Sequence, residues 1–134
     1  MKFTTRPLNS EDYEAILVGW WKDWGWDAPL RDFLPQNGEG GIMVMDGDIP
    51  VCAGFIYNTN SKVAWVDWII SNKDYKESRS EAIVLLVETL TSIAKNLDNN
   101  YAYALIKHEG LIKTYESLGY MQAENYNTEM IKKL

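Results

Sequence analysis

The feature that most restricts the fold is a pair of strand-like stretches, "KVAWVDWIIS" (62–71) and "YAYALIKH" (101–108), separated by one long amphipathic segment. Both stretches have the β-branched and aromatic content of strands. Between them Ile83, Leu86, Leu90, Ile93 and Leu97 recur at the spacing of a single helical face. Ser78, with Glu81 three residues on, has the form of a capping box that would open this helix. A helix crossing over the sheet returns the chain in the direction it started, so the two strands should lie parallel.

The remaining chain reads as antiparallel. A short strand near Lys2 to Thr5 precedes a helix that Asn9 can cap, with Tyr13, Ile16, Leu17, Trp20 and Trp24 on one face. Trp21 and Trp26 fall outside that stripe. A further turn of helix is expected near Leu30 to Phe33. Strands near Ile42 to Met45, Val51 to Tyr57 and Lys62 to Ser71 are separated by the turn signals "DGD" and "NTN", which gives a meander. After "YAYALIKH", Leu111, Ile112, Tyr115 and Leu118 mark a last helix that Gly119 would end. Final strands are expected near Tyr120 to Ala123 and Thr128 to Ile131. The fold class is α/β: a mixed, mostly antiparallel sheet with one parallel βαβ unit. At 134 residues, the span 1–134 is expected to form a single domain.

Composition narrows the partners. Cys52 is the only cysteine and His108 the only histidine, so neither an intrachain disulfide nor a cysteine–histidine zinc site can be assembled, and no metal is expected. No signal-peptide pattern or membrane-length apolar run is present, so a cytoplasmic location is expected. Nineteen acidic against 13 basic residues give a net charge of −6, which repels a phosphate backbone. Neither nucleic acid nor a membrane is expected as partner. An exposed sheet edge would permit a homodimer.

Several residues carry possible chemistry. Strict alternation in "KVAWVDWIIS" puts Trp65, Asp67 and Ile69 on one face and Ala64, Val66, Trp68 and Ile70 on the other. A carboxylate among apolar neighbours is costly to bury unless it is paired or faces a wet cleft. Asp67 is thus a candidate base, or an electrostatic guide for a cation. Trp20 and Trp24 follow the helix stripe and should be core. Trp21, Trp26 and Trp65 are candidates for an aromatic wall that attracts an ammonium group. His108 stands at a strand-to-helix junction, where it could serve a substrate or simply bond backbone. Cys52, between Val51 and Ala53, reads as a small buried hydrophobe. Spacing alone makes Tyr115 a packing residue.

The element order and "HEGLIKTYESLGY" together resemble the GNAT superfamily of N-acetyltransferases over essentially the whole chain. In that family a helix after the fifth strand often closes with tyrosine, two variable residues, leucine, glycine and an aromatic. Here these are Tyr115, Glu116, Ser117, Leu118, Gly119 and Tyr120; His108 stands where many members have asparagine.

The resemblance implies acetyl transfer from acetyl-CoA to a primary amine, of a small molecule or a peptide, by direct attack in a ternary complex. It implies a splay between the fourth and fifth strands that admits pantetheine, with backbone contacts near Trp68, Ile69 and Ile70, and Tyr115 as general acid. Pyrophosphate should sit at the start of the long helix, over Glu77, Ser78, Arg79, Ser80, Glu81 and Ala82. There the family pattern of arginine or glutamine, two variable residues, glycine, one variable residue, then glycine or alanine aligns with Glu77, Ser80 and Ala82, and the alanine alone fits. The rival reading is a catalytically degenerate GNAT-fold binding or interaction module.

Overall fold

The computed structural model describes residues 2–134. Strand β1 (Phe3–Pro7) leads through a π-helical segment (Tyr13–Leu17) into α1 (Val18–Asp23), and two 3-10 turns (Arg31–Phe33, Pro35–Gly38) follow. Then come β2 (Gly41–Asp46), β3 (Ile49–Asn58), β4 (Val63–Ser71), α2 (Arg79–Asn96), β5 (Tyr101–Tyr103) and α3 (Glu109–Ser117). The five strands pair in chain order. Neighbours are antiparallel from β1 to β4, while β4 and β5 are parallel, as the crossover helix requires.

Each face of the sheet has its own core. Ile42, Val44, Cys52, Ala64 and Val66 pack against Leu86, Val87 and Leu90 of α2 and Tyr115 of α3. On the opposite face Met43, Ala53, Phe55 and Ile70 pack against Leu17, Trp20 and Trp21. Burial pushes the Cys52 thiol well above its ordinary pKa, as suits a core residue. Asn9 does cap the first helical turn, its Oδ1 accepting from the N–H groups of Glu11 and Asp12. Arg6 on β1 forms a two-pronged pair with Asp12 at 2.8 Å on both arms, fixing that helix to the sheet edge.

Four expectations are corrected. First, no strand forms near 120–123 or 128–131. Tyr120 is anchored against the Tyr115 ring and bonded to Thr91, but beyond it the chain is exposed, because β5 offers only three residues as a template. The rest of "YAYALIKH" likewise leaves the sheet after Tyr103.

Second, Ser78 and Glu81 do not form a capping box: Ser78 adopts a left-handed conformation (φ 62°) and its side chain caps nothing. Third, Trp21 is core rather than wall, only 2% exposed and set edge-on to Trp68.

Fourth, β4 does not alternate strictly. Phe55 pairs with Asp67 and Ala53 with Ile70, so Gly54 alone faces both Trp68 and Ile69. This two-against-one mismatch is a β-bulge, with Trp68 at φ 57°. It turns Trp68 to the α1 side with Asp67 and sends Ile69 to the α2 side. A Cβ on Gly54 would lie 2.5 Å from Ile69 Cδ1 and 2.8 Å from Leu90 Cδ1, so glycine here makes room for the displaced isoleucine.

Candidate active site at the fork between β4 and β5

The parallel pairing of β4 and β5 covers only Val63–Tyr101, Ala64–Ala102 and Trp65–Tyr103. Past Trp65 the bulge turns β4 away, and β5 ends at Tyr103. Backbone groups that a longer ladder would satisfy need other partners. Two side chains supply them at the closed end of the fork. From the α2 side, the Tyr115 hydroxyl donates to the Val66 carbonyl at 2.7 Å. From the α1 side, the Asp67 carboxylate accepts from the Trp68 N–H at 3.0 Å and, across the gap, from the Leu105 N–H at 3.4 Å.

Their environments set their protonation. Tyr115 is 2% exposed, and its phenol is pushed up by burial first, then by the Asp67 carboxylate and by Tyr120. These effects favour the neutral phenol, the form that holds a proton it can donate. Burial raises Asp67 above the ordinary aspartate value, opposed by the two backbone N–H bonds. No cationic side chain pairs with it: the ion pairs among the described residues are Arg6–Asp12 and Lys62–Asp98.

Beyond the fork, the β4 backbone at Trp68, Ile69 and Ile70 has no strand on its β5 side. The start of α2 is likewise open, because Ser78 does not cap it and the first-turn N–H groups of Arg79, Ser80 and Glu81 carry no side-chain acceptor. Glu77, Ser80 and Glu81 are exposed there, while Ala82 is buried against the sheet. Arg79 is occupied otherwise: its guanidinium donates to the Lys73 and Tyr75 carbonyls at 3.2 and 3.4 Å and lies over the Trp24 ring.

The remaining candidates separate. Trp65 lies at the fork, its ring 4.5 Å from that of Tyr103. Trp26 is half exposed and stacks on Trp24, whose indole N–H donates to the Ser71 carbonyl, so it sits by the far end of β4. His108 is exposed just before α3, with no capping bond from its ring. Among the described residues no group of acidic, cysteine or histidine side chains is gathered for a metal, and no helix is long and apolar enough to cross a membrane. Sequence reasoning missed Tyr57, Tyr103 and the Trp68 side chain, which join this site only through strand register and the bulge.

No family model matches the sequence, and no curated protein matches it. Solved structures do. The ribosomal-protein-S18-alanine N-acetyltransferase from Escherichia coli is 14% identical, with a TM-score of 0.69 over 91% of this chain and 79% of that one. Glucosamine-6-phosphate N-acetyltransferase from Arabidopsis thaliana is 11% identical, with a TM-score of 0.69 over 98% of this chain and 100% of that one. AAC(6′)-Iy, in complex with the bisubstrate analogue CoA-S-monomethyl-acetylneamine, is 12% identical, with a TM-score of 0.68 over 99% and 100%. The chain therefore has the GNAT acetyltransferase fold: a mixed α/β domain architecture with a five-stranded, mostly antiparallel sheet.

Proposed function

We propose that the protein is an N-acetyltransferase that moves an acetyl group from acetyl-CoA to a primary amine within a ternary complex. The observation that carries this reading is the fork itself, where β4 and β5 part after three pairs and a buried phenol and a carboxylate meet the gap from opposite sides. A slender thiol-bearing arm would lie beside the β4 backbone at Trp68, Ile69 and Ile70, which has no strand on its β5 side. A backbone N–H there would stabilise negative charge developing on the thioester oxygen. The open first turn of α2, over Glu77 to Ala82, offers its N–H groups and dipole to pyrophosphate. The structural neighbour holding a coenzyme A analogue supports the same co-substrate.

In the reaction the amine nitrogen forms a bond to the acetyl carbon and the carbon–sulfur bond breaks. Asp67 accepts a proton from the attacking nitrogen, its raised pKa bringing it closer to useful basicity. Tyr115 releases the Val66 carbonyl and gives its proton to the departing sulfur; solvent then returns the proton from Asp67 to Tyr115. His108 and Trp26 remain candidate acceptor contacts at the margins of the site.

The test is Tyr115→Phe, assayed by thiol release with a panel of primary amines. Loss of a general acid should lower kcat by about 100-fold or more while acetyl-CoA binding is retained. Unchanged turnover in this variant would remove Tyr115 from the mechanism. If the wild-type protein binds no acetyl-CoA, the interaction-module reading takes its place.

A further inference from the structure

Cross-strand partners in a sheet point to the same face, and three aromatic residues stand at one register across three strands. Tyr57 of β3 pairs with Trp65 of β4, and Trp65 pairs with Tyr103 of β5. The bulge brings a fourth ring, Trp68, to that face, and Phe33 meets it edge-on at 5.9 Å. The Tyr57 hydroxyl donates to the Phe33 carbonyl at 2.8 Å, so Tyr57 is held with its ring rather than its hydroxyl available and the 31–33 turn is pinned to the sheet. Burial, with the Asp67 carboxylate adding to it, pushes the Tyr57 phenol up to about 12. Asp67 lies in the next row of the same face, opposite Phe55, and carries no cationic partner.

A partly buried carboxylate without a counter-charge is unfavourable on its own, and a bound ammonium group would supply that charge. Aromatic faces around it add cation–π attraction, and their negative quadrupole, like the Asp67 carboxylate, disfavours anionic bodies. Phe33 is 45% and Tyr103 38% exposed, which leaves the face accessible.

We infer that this face is the acceptor subsite and that it selects aryl-alkyl primary ammonium compounds over sugar-phosphate amines, Asp67 anchoring the ammonium and the Tyr57–Trp65–Tyr103 row holding the aromatic body. What becomes of the amine rests on the acyl-transfer reading; its capture does not. The sugar phosphate of the plant neighbour's substrate needs cationic contacts, and none is found among the partners of this face.

The experiment is direct titration of 2-phenylethylamine, 2-phenylethanol and glucosamine 6-phosphate, followed by tryptophan fluorescence and calorimetry, with and without saturating coenzyme A. The amine should bind saturably and about tenfold more tightly than the neutral alcohol, with the sugar phosphate weaker than both. Asp67→Asn should erase the preference for amine over alcohol, and Tyr103→Ala and Trp65→Phe should weaken both aromatic ligands while the thermal melt stays cooperative. Saturable binding of the sugar phosphate in preference to the amine, absence of amine binding in both series, or an unchanged preference in Asp67→Asn would overturn the inference. Failure of acetyl-CoA to bind would sink acetyl transfer and leave this titration with its own answer.

Discussion

At the scale of single residues, the fork depends on groups whose roles follow from satisfaction of the backbone. Tyr115 is both packing residue and hydrogen-bond donor, because the helix stripe that buries its ring also delivers its hydroxyl to the Val66 carbonyl. Gly54 is the opposite case, a residue whose value is an absent side chain. Gly54→Ala should cost about 1–3 kcal/mol through overpacking against Ile69 and Leu90. By disturbing the bulge it should also weaken acetyl-CoA binding, measurable by denaturant melts beside calorimetry; a stable variant with unaltered affinity would contradict this coupling. Asp67 predicts a pH dependence. Its native pKa is raised above 3.8, mainly by burial, so kcat/KM should rise with pH through an ionisation above that value. Asp67→Asn should lose this limb of the profile. For stability the sign reverses: folding favours the protonated form, and that contribution is complete below pH 3.8 and lost as pH rises through the native value. Unfolding free energies of wild type and Asp67→Asn across that window would show it.

At the scale of elements, local pattern and pairing chemistry had different reach. The stripe of Ile83, Leu86 and Leu90 marks α2 because a helix needs only its own periodicity, and the "DGD" and "NTN" turns mark β2 to β4 for similar local reasons. The parallel β5 follows from the crossover. Its brevity does not, since nothing within "YAYALIKH" records that its neighbour turns away after Trp65. The absent C-terminal strands fail for the same cause: strand propensity near 128–131 finds no edge long enough to pair with. Trp21 escaped the helix stripe because the π-helical segment before α1 shifts the angular position of every later residue, placing Trp20 and Trp21 both inside. Where β1 meets that helical segment, the Arg6–Asp12 pair is the joint, and Asp12 is 3% exposed. Asp12→Ala should destabilise the protein by about 2 kcal/mol, since charge-assisted bonds from Arg6 and the Asn9 N–H are lost together. A melting curve superimposable on wild type would show that the joint contributes nothing.

For the whole molecule, the GNAT architecture was legible from element order and from the tyrosine, leucine, glycine and aromatic that close α3, yet the site was legible only in part. Asp67 and Trp65 stood out within their strand, whereas Tyr115 reads by spacing as packing and was singled out only through the family resemblance. The aromatic row was not, because Tyr57, Trp65 and Tyr103 lie on three separate strands and meet only through register. At the start of α2, Glu77 and Ser80 depart from the family's loop pattern and Ala82 alone keeps it, while the uncapped first turn of the helix still presents backbone donors. The central claim is that the opening between β4 and β5 takes up the acyl donor, and calorimetric titration with acetyl-CoA tests it most directly. The account predicts saturable one-to-one binding, with a rise in melting temperature that grows with ligand concentration. No heat and no thermal shift at millimolar acetyl-CoA would contradict it.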